Sequence, residues 1–460
     1  MRLRTAAIVT AVAMVTTLVV QLNFDRYTDG CERDPEDDNS IVMFSGEDVN
    51  PGRRRHELIN TWNAEHPRGP KVELVELVGG ADHEYSQLLA AHQLGSCASD
   101  VLSLDVVWTP PFARAGLLEP FPKEQLKQQF DQRNFLHGPW RTGTGDDGEQ
   151  YAIPFHSDAP LLYYRRDIVG NSPPRTWDEL RGMSSPENLA RLRARDAAGI
   201  VTQLADYEGL TVNGLEIAAS GGGTIGKDPR QEKITIDAAA ERALGQIIKD
   251  FESSVIHGES LNFRENDSVA AFAQGRALFL RNWPYTYHVL HADPMIKDRF
   301  GTAQLPDSNP STPGPGILGG QNLAVSRNSV HKKEAREFIE WITRPRQQLR
   351  LFACGGYVPV RTEVYANPEQ CSKIPGQQPQ SEPEQTELSD AELTKFARIL
   401  RTAISQAGTR PDVPNYPGFS RAFHRRLHNS IVQGAAVDRR NFADYLTACA
   451  GWRPPGKDCP

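Results

Sequence analysis

The chain is 460 residues long, with 24% charged residues, a formal net charge of −7 and six cysteines. At roughly 150 residues per domain, that length calls for two or three units rather than one core. The acidic balance and the lack of a Lys/Arg-rich block exclude a nucleic-acid surface, because such binding rests on clustered cations meeting phosphates.

Arg2 and Arg4 precede Ala6 to Leu22, seventeen residues without a charge, which reads as an export signal. As a helix this run would be ~25 Å long at about 1.5 Å per residue, short of the roughly 30 Å hydrocarbon core. A cleaved signal over 1–22 and an N-terminal anchor both stay open. No small-x-small site follows, since Gln21-Leu22-Asn23-Phe24 stands there, and this strengthens the case for an anchor. Cys31 is a lipidation candidate, but Thr28-Asp29-Gly30 before it is not a lipobox. In an exported chain an even cysteine count suggests disulfides rather than metal ligands. Short local loops would pair Cys354 with Cys371 and Cys449 with Cys459 and leave Cys31 with Cys97, one of fifteen possible connectivities.

Residues 23–40, which include the acidic run ERDPEDDNS, form an expected flexible spacer, and the folded body starts at Ile41. SIVMFSG is a buried strand by pattern. The helix in GRRRHELINTWNAEHP places Leu58, Ile59 and Trp62 on one face, and KVELVELV is the next strand. HEYSQLLAAHQLG reads as a helix and DVLSLDVVW as the apolar run of a central parallel strand. This alternation is the signature of a twisted α/β layer. A second α/β block opens near Tyr151, where YAIPF and LLYYRR bracket His156-Ser157-Asp158, and Thr176 with Glu179 forms a capping-box pattern. LARLRARDAAG, DAAAERALGQIIKDFESS and SVAAFAQGRALFL read as helices. Asp307 to Gly316 is a loop by its Pro and Gly content, GGQNLAVS a strand, and HKKEAREFIEWITRP a helix burying Phe338, Ile339 and Ile342. Gly376 to Asp390 is a polar insertion, and helices between Ala391 and Leu446 finish the chain.

Catalytic signatures are weak. GGGTIGKD, Gly221 to Asp228, has P-loop spacing but lacks the Ser or Thr that binds magnesium, so a helix-end glycine turn is expected there. His424 and His428, four apart on a helix, read as a solvated face rather than a metal site. No cofactor or metal is expected, and nothing points to hydrolysis. What stands out instead is polar and aromatic residues at strand ends, where open α/β sheets bind ligands. Asp105 is charged inside an apolar strand and needs donors, either backbone amides or a ligand's hydroxyls. In FLRNWPYTY, Phe279 reads as core, Tyr285 and Tyr287 as either core or cleft, and Trp283 as a cleft residue.

Seven segments in order complete the picture: LDVVWTPPFARAGLLEP, YAIPFHSDAPLLYYRRDIV, PPRTWDEL, AFAQGRALFLRNWPY, GGQNLAVS, GGYVPVR and GTRPDVPNY. Together they resemble the carbohydrate-binding extracellular subunits of ABC importers, and the trehalose/maltose branch in particular through LDVVWT, NWP and the Arg-Pro of GTRP. The resemblance implies a two-lobed α/β clam-shell of the periplasmic-binding-protein type (type II) whose chain crosses the hinge more than once. Lobe 1 would hold 41–152 and 303–360, lobe 2 would hold 153–302 and 385–460, and 361–384 would be a crossing segment with the insertion. It further implies an exported monomer that captures a di- or oligosaccharide and delivers it to an ABC permease. Carried over by motif, Asp105 and Asp158 would accept sugar hydroxyls from opposite lobes, Trp283 would stack on a sugar face, and Asn282 and Tyr285 would flank it. Gly319, Gly320, Gln321, Gly355, Gly356 and Tyr357 would line the rim, Arg410 would donate to adjacent hydroxyls, and Glu47 matches an acidic position in some relatives. Two departures from the family pattern are Asp158, near which many relatives carry Asn or Thr, and the missing lipobox before Cys31. The same fold binding another solute or sensing for a partner protein is the alternative, and a secreted glycoside hydrolase is a third.

Overall fold

The computed structural model describes residues 39–48, 52–93, 99–192, 194–228, 230–312, 314–374, 387–452 and 459. The export segment, most of the spacer, Cys31, Cys97 and most of the polar insertion lie outside these residues.

Two sheets organise the chain. In the first, β1 (Ser40–Gly46), β2 (Lys71–Leu77) and β3 (Val101–Asp105) run parallel, the pattern expected when helices connect successive strands. The helix Arg54–Glu65 lies between the first two and buries Leu58, Ile59 and Trp62, with the Trp62 ring edge-on to Phe338 and Trp341. The same sheet takes β4 (Leu118–Glu119) and β5 (Ala152–Asp158). The second sheet comprises β6 (Leu161–Arg165) and β7 (Ala198–Val201), and a separate hairpin of β8 (Ile225–Asp228) and β9 (Lys233–Ile236) lies between them and its remaining strands. Those strands are β10 (Ala277–Asn282) and β11 (Phe300–Ala303), giving the order β11-β6-β10-β7. The chain then returns to the first sheet as β12 (Gly319–Ser326), antiparallel to β3, β4 and β5. Chain crossings at 159–160 and 304–318 therefore join two lobes, a bilobed α/β architecture of the periplasmic-binding-protein type.

Helices cover both sheets. Glu208–Ser220 is buried on nearly every side, between Ala238–Glu252 and Tyr416–Gln433. Asp390–Gln406 packs Phe396 and Leu400 into a core shared by Tyr163 and Leu280 of lobe 2 and by Phe352 and Val358. Thr176 and Glu179 form the expected capping box, and Cys354–Cys371 and Cys449–Cys459 form the two expected local disulfides. Within Gly221–Asp228 the helix ends in a turn with Gly222 at φ +75°, and Ile225 to Asp228 form β8. Among the described residues no helix is long and apolar enough to cross a membrane.

The structure corrects several expectations. The helix expected in LARLRARDAAG covers only Pro186–Ala190, because Ala198 and its neighbours pair with β10 and are buried as β7. SVAAFAQGRALFL divides at Gly275, whose φ of +75° ends the helix Glu265–Ala273, and Ala277 to Asn282 become a fully buried central strand. Here sheet pairing overrides the helix preference of Ala and Leu. DVLSLDVVW stops being a strand at Asp105, where Trp108 N donates to the Asp105 carbonyl in a turn. The first crossing falls after Asp158 rather than at 153, since β5 pairs along its length with β12. His424 is buried and bonded to Asp206, and His428 reaches the Leu261 carbonyl, so these two histidines are packed rather than solvated.

Candidate functional site

The strand β12 begins at the point where the two sheets approach each other, and its register places the site. Gly319 pairs with Asp158 at the end of β5, and Gln321 pairs with Asp105 at the end of β3. The two aspartates thus flank the Gly319-Gly320-Gln321 stretch on one sheet. This corrects the expectation that they face each other from opposite lobes. Gly320 has φ +110°, and a Cβ there would lie 2.3 Å from the His156 carbonyl oxygen, so only glycine fits. Gln321 accepts a hydrogen bond from Ser103 Oγ.

Trp283 follows β10 and comes from the other lobe. Its backbone N–H donates to Asn282 Oδ1 at 2.7 Å, and its carbonyl accepts from the Tyr163 hydroxyl at 2.9 Å. The indole edge rests on Gly319, where a Cβ would be 3.2 Å from Cζ3 and Cη2 and 3.4 Å from the Asp158 Cβ. The ring is half-buried, and the Arg281 guanidinium lies 4.3 Å from the ring centroid. Beside it, Asp158 sits 3.4 Å from His156 Nδ1, and the His156 ring stands edge-on to Tyr357. The Tyr357 hydroxyl donates to Asp48, while Gly356 ends the helix Pro345–Gly355 in the left-handed conformation against His288.

Asp105 answers the question its sequence position raised in a third way. Its donors are the Val107 backbone N–H and the guanidinium of Arg410, which reaches from the C-terminal segment. Arg410 is also bonded at 3.0 Å to Glu208, which accepts from the Tyr416 and Ser420 hydroxyls. Asp105 belongs to the first sheet, whereas Glu208, Tyr416 and Ser420 belong to the helices over the second, so this ion pair spans the two lobes. The Arg410 side chain is 3% exposed and that of Asp105 is 21% exposed. Burial disfavours the Arg410 cation, but Asp105, Tyr416 and Glu208 more than offset it and hold its pKa above the usual value. The Glu208 carboxyl is pushed up by burial, against the pull of Arg410.

Glu47 is exposed at the end of β1. Near it, half-buried Glu84 on the helix Ala81–Gln93 is pushed up to about 7 by burial and then by the charge of Asp105. Three expected site residues turn elsewhere. Asn282 is fully buried, and its amide donates to the Glu265 carbonyl and to Ser268 Oγ. The Tyr285 hydroxyl donates to Asn266, and the side chain is buried. Gly355 is buried against the Arg54 stem. Among the described residues no group of His, Cys, Asp and Glu could hold a metal ion. The site therefore brings together carboxylate acceptors, a guanidinium already paired with two of them and one indole, groups suited to a polar solute with an apolar face.

A family model described as bacterial extracellular solute-binding protein matches residues 48–349. The chain belongs to that family. A probable ABC transporter-binding protein of Deinococcus radiodurans is 30% identical to this solute-binding protein over 321 residues, covering 67% of this chain and 73% of its own. The sn-glycerol-3-phosphate-binding periplasmic protein UgpB of Pectobacterium atrosepticum is 22% identical over 68% of this chain and 71% of its own. Among solved structures, maltose-bound MalE3 of T. maritima superposes with a TM-score of 0.73 at 25% identity, covering 89% of this chain and 98% of that one. The protein is the solute-binding subunit of an ABC importer for a small polar solute, working outside the cytoplasm, and its family binds solutes without transforming them.

In this solute-binding protein, sequence reasoning missed Glu208, Glu84 and the pair Arg281–Glu216. The available signal was two glutamates, Glu208 and Glu216, in a helix otherwise suited to complete burial, which demands buried cations as partners.

Proposed function

We propose that the solute is an uncharged di- or oligosaccharide of the trehalose or maltose kind, held between the lobes and handed to a cognate permease. The observation that carries this reading is Trp283: a half-buried indole with one face on Arg281 and its edge on Gly319, adjacent to the carboxylate of Asp158. A pyranose offers an apolar face for such a ring and hydroxyls for such acceptors. Asp105, Asp158 and Glu47 would accept hydroxyls, Gln321 and Tyr357 would border the sugar, and Arg410 would donate. Charge favours a neutral solute over a glycerophosphate. Arg410 already lies between the carboxylates of Asp105 and Glu208, so its charge is compensated before any phosphate arrives. We further propose export through the N-terminal run, with Ala6 to Leu22 kept as the anchor and no second copy required for binding.

Thermal-shift and calorimetric titration against trehalose, maltose, maltotriose and glycerophosphocholine tests this, because a ligand of the folded state raises its apparent stability. A shift with one of the sugars, lost in Trp283→Ala, is the expected result. A shift with glycerophosphocholine alone would refute the neutral-sugar reading.

A further inference from the structure

The support beneath Trp283 is a buried ion pair rather than packed hydrocarbon. Arg281 lies near the end of β10 and Trp283 just beyond it, and the two side chains meet, with the guanidinium 4.3 Å from the ring centroid. Arg281 Nε and Nη2 donate to the two Glu216 oxygens at 2.8 and 2.6 Å, and Nη1 donates to Gln203 Oε1 at 2.9 Å. The side chains of the pair are 4% and 3% exposed. A buried pair of this kind adds little net stability over hydrophobic residues of the same volume, so stability alone does not account for it. Packing around the pair is incomplete on one side. A cavity of 320 Å³ opens against the pair, lined also by Thr202, Asn213, Ile247 and Leu305. Glu216, with two hydrogen bonds against one from Gln203, is the main anchor that keeps Arg281 under the indole.

Glu216 also accepts the backbone N–H of Ile317 at 3.4 Å. Ile317 lies in the segment that returns from the second lobe to the first, and two residues later that segment reaches Gly319, on which the indole edge rests. The contacts close a ring from Trp283 to Arg281, Glu216, Ile317, Gly319 and back to Trp283.

We infer that Arg281 and Glu216 are positioning residues that lock the Trp283 indole to the interlobe segment, so that seating a solute on the ring and closing the lobes are one event. This rests on the reading of Trp283 as the solute platform.

The test compares wild type, Trp283→Ala, Glu216→Gln and the double variant Arg281→Met/Glu216→Leu. The double variant keeps a volume-matched apolar pair and is expected to fold with an unchanged melting temperature. Indole ¹⁵N NMR, with the Trp283 signal assigned as the one missing in Trp283→Ala, reports the ring without any solute. The inference expects that signal to move and broaden in Glu216→Gln and in the double variant. With maltose as probe, the double variant should bind roughly tenfold or more weakly, in line with loss of a desolvated cation–π contact. Its maltose-induced compaction in small-angle scattering should also shrink. An unmoved Trp283 signal in the double variant overturns the inference whatever maltose does. Maltose binding within twofold of wild type, alongside complete loss in Trp283→Ala, overturns it while leaving the platform reading intact. Full maltose binding by Trp283→Ala removes the platform reading itself.

Discussion

Replacing Asp105 with Asn removes one end of the ion pair that joins the lobes while keeping its shape. At the 3.3 Å separation of Arg410 Nη1 from Asp105 Oδ2, two unit charges at an effective dielectric of about 20 attract by ~5 kcal/mol. Desolvation of both groups offsets much of this, and Glu208 remains on Arg410 at 3.0 Å, so the cation is not stranded. The net loss is then about 2 kcal/mol, below the 3 to 5 kcal/mol typical of breaking a fully buried pair. That corresponds to roughly a thirtyfold shift of the equilibrium between joined and separated lobes. Small-angle scattering without any sugar isolates this effect from the proposed role of Asp105 as a hydroxyl acceptor, and Asp105→Asn should show a larger radius of gyration. Glu208→Ala provides the contrast, because Glu208 and its hydroxyl partners lie within the second lobe: it should lower global stability in urea by several kcal/mol. Identical scattering and melting of wild type and Asp105→Asn would refute the interlobe role of the pair.

Other expectations follow from single contacts. Gly319→Val would push into the indole edge 3.2 Å away and should abolish the sugar response while the protein still melts cooperatively, checked by calorimetry with and without sugar. Glu84 has a folded pKa of about 7 against 4.5 for the free group, so the folded state binds the extra proton between those values. Its destabilising effect is absent below about pH 4.5 and complete above about 7, reaching at most ~3 kcal/mol. Glu84→Gln should therefore raise the melting temperature at pH 8 and hardly change it at pH 5. Removing the Cys354–Cys371 bridge, whose partners are 17 residues apart, should lower stability by about 3 kcal/mol in denaturant titration.

The parts of this molecule that were legible in its sequence are those set by local patterns. Alternation of apolar strands and helices announced the α/β lobes, Thr176 and Glu179 announced a helix start, and a lone carboxylate in LSLDVVW marked Asp105 as needing a partner. The identity of that partner was not legible, because Arg410 lies 305 residues away and nothing local links the two. For the same reason Arg281 and Glu216, 65 residues apart, read as ordinary charged positions. The misread of Ala277 to Leu280 has another cause. Its Ala and Leu residues favour a helix in isolation, and only the neighbours β6 and β7, paired on either side, make it a strand.

The register of β12 gives the two lobes different work. Because it pairs with both β3 and β5, Asp105 and Asp158 stand on one sheet, and the second lobe supplies the indole and the Glu208 side of the Arg410 clamp. A solute bound to the first lobe alone would meet acceptors without an apolar platform, and one on the second lobe would meet the platform with few free acceptors. Only a molecule with both an apolar face and hydroxyls gains from both lobes at once. Separating the lobes loses both sets of contacts together, so closure over a fitting sugar should be steeper than the sum of its two half-sites. Trp283→Ala combined with Asp158→Asn should then weaken maltose binding by less than the product of the single losses, since either change alone already forfeits the benefit of closing.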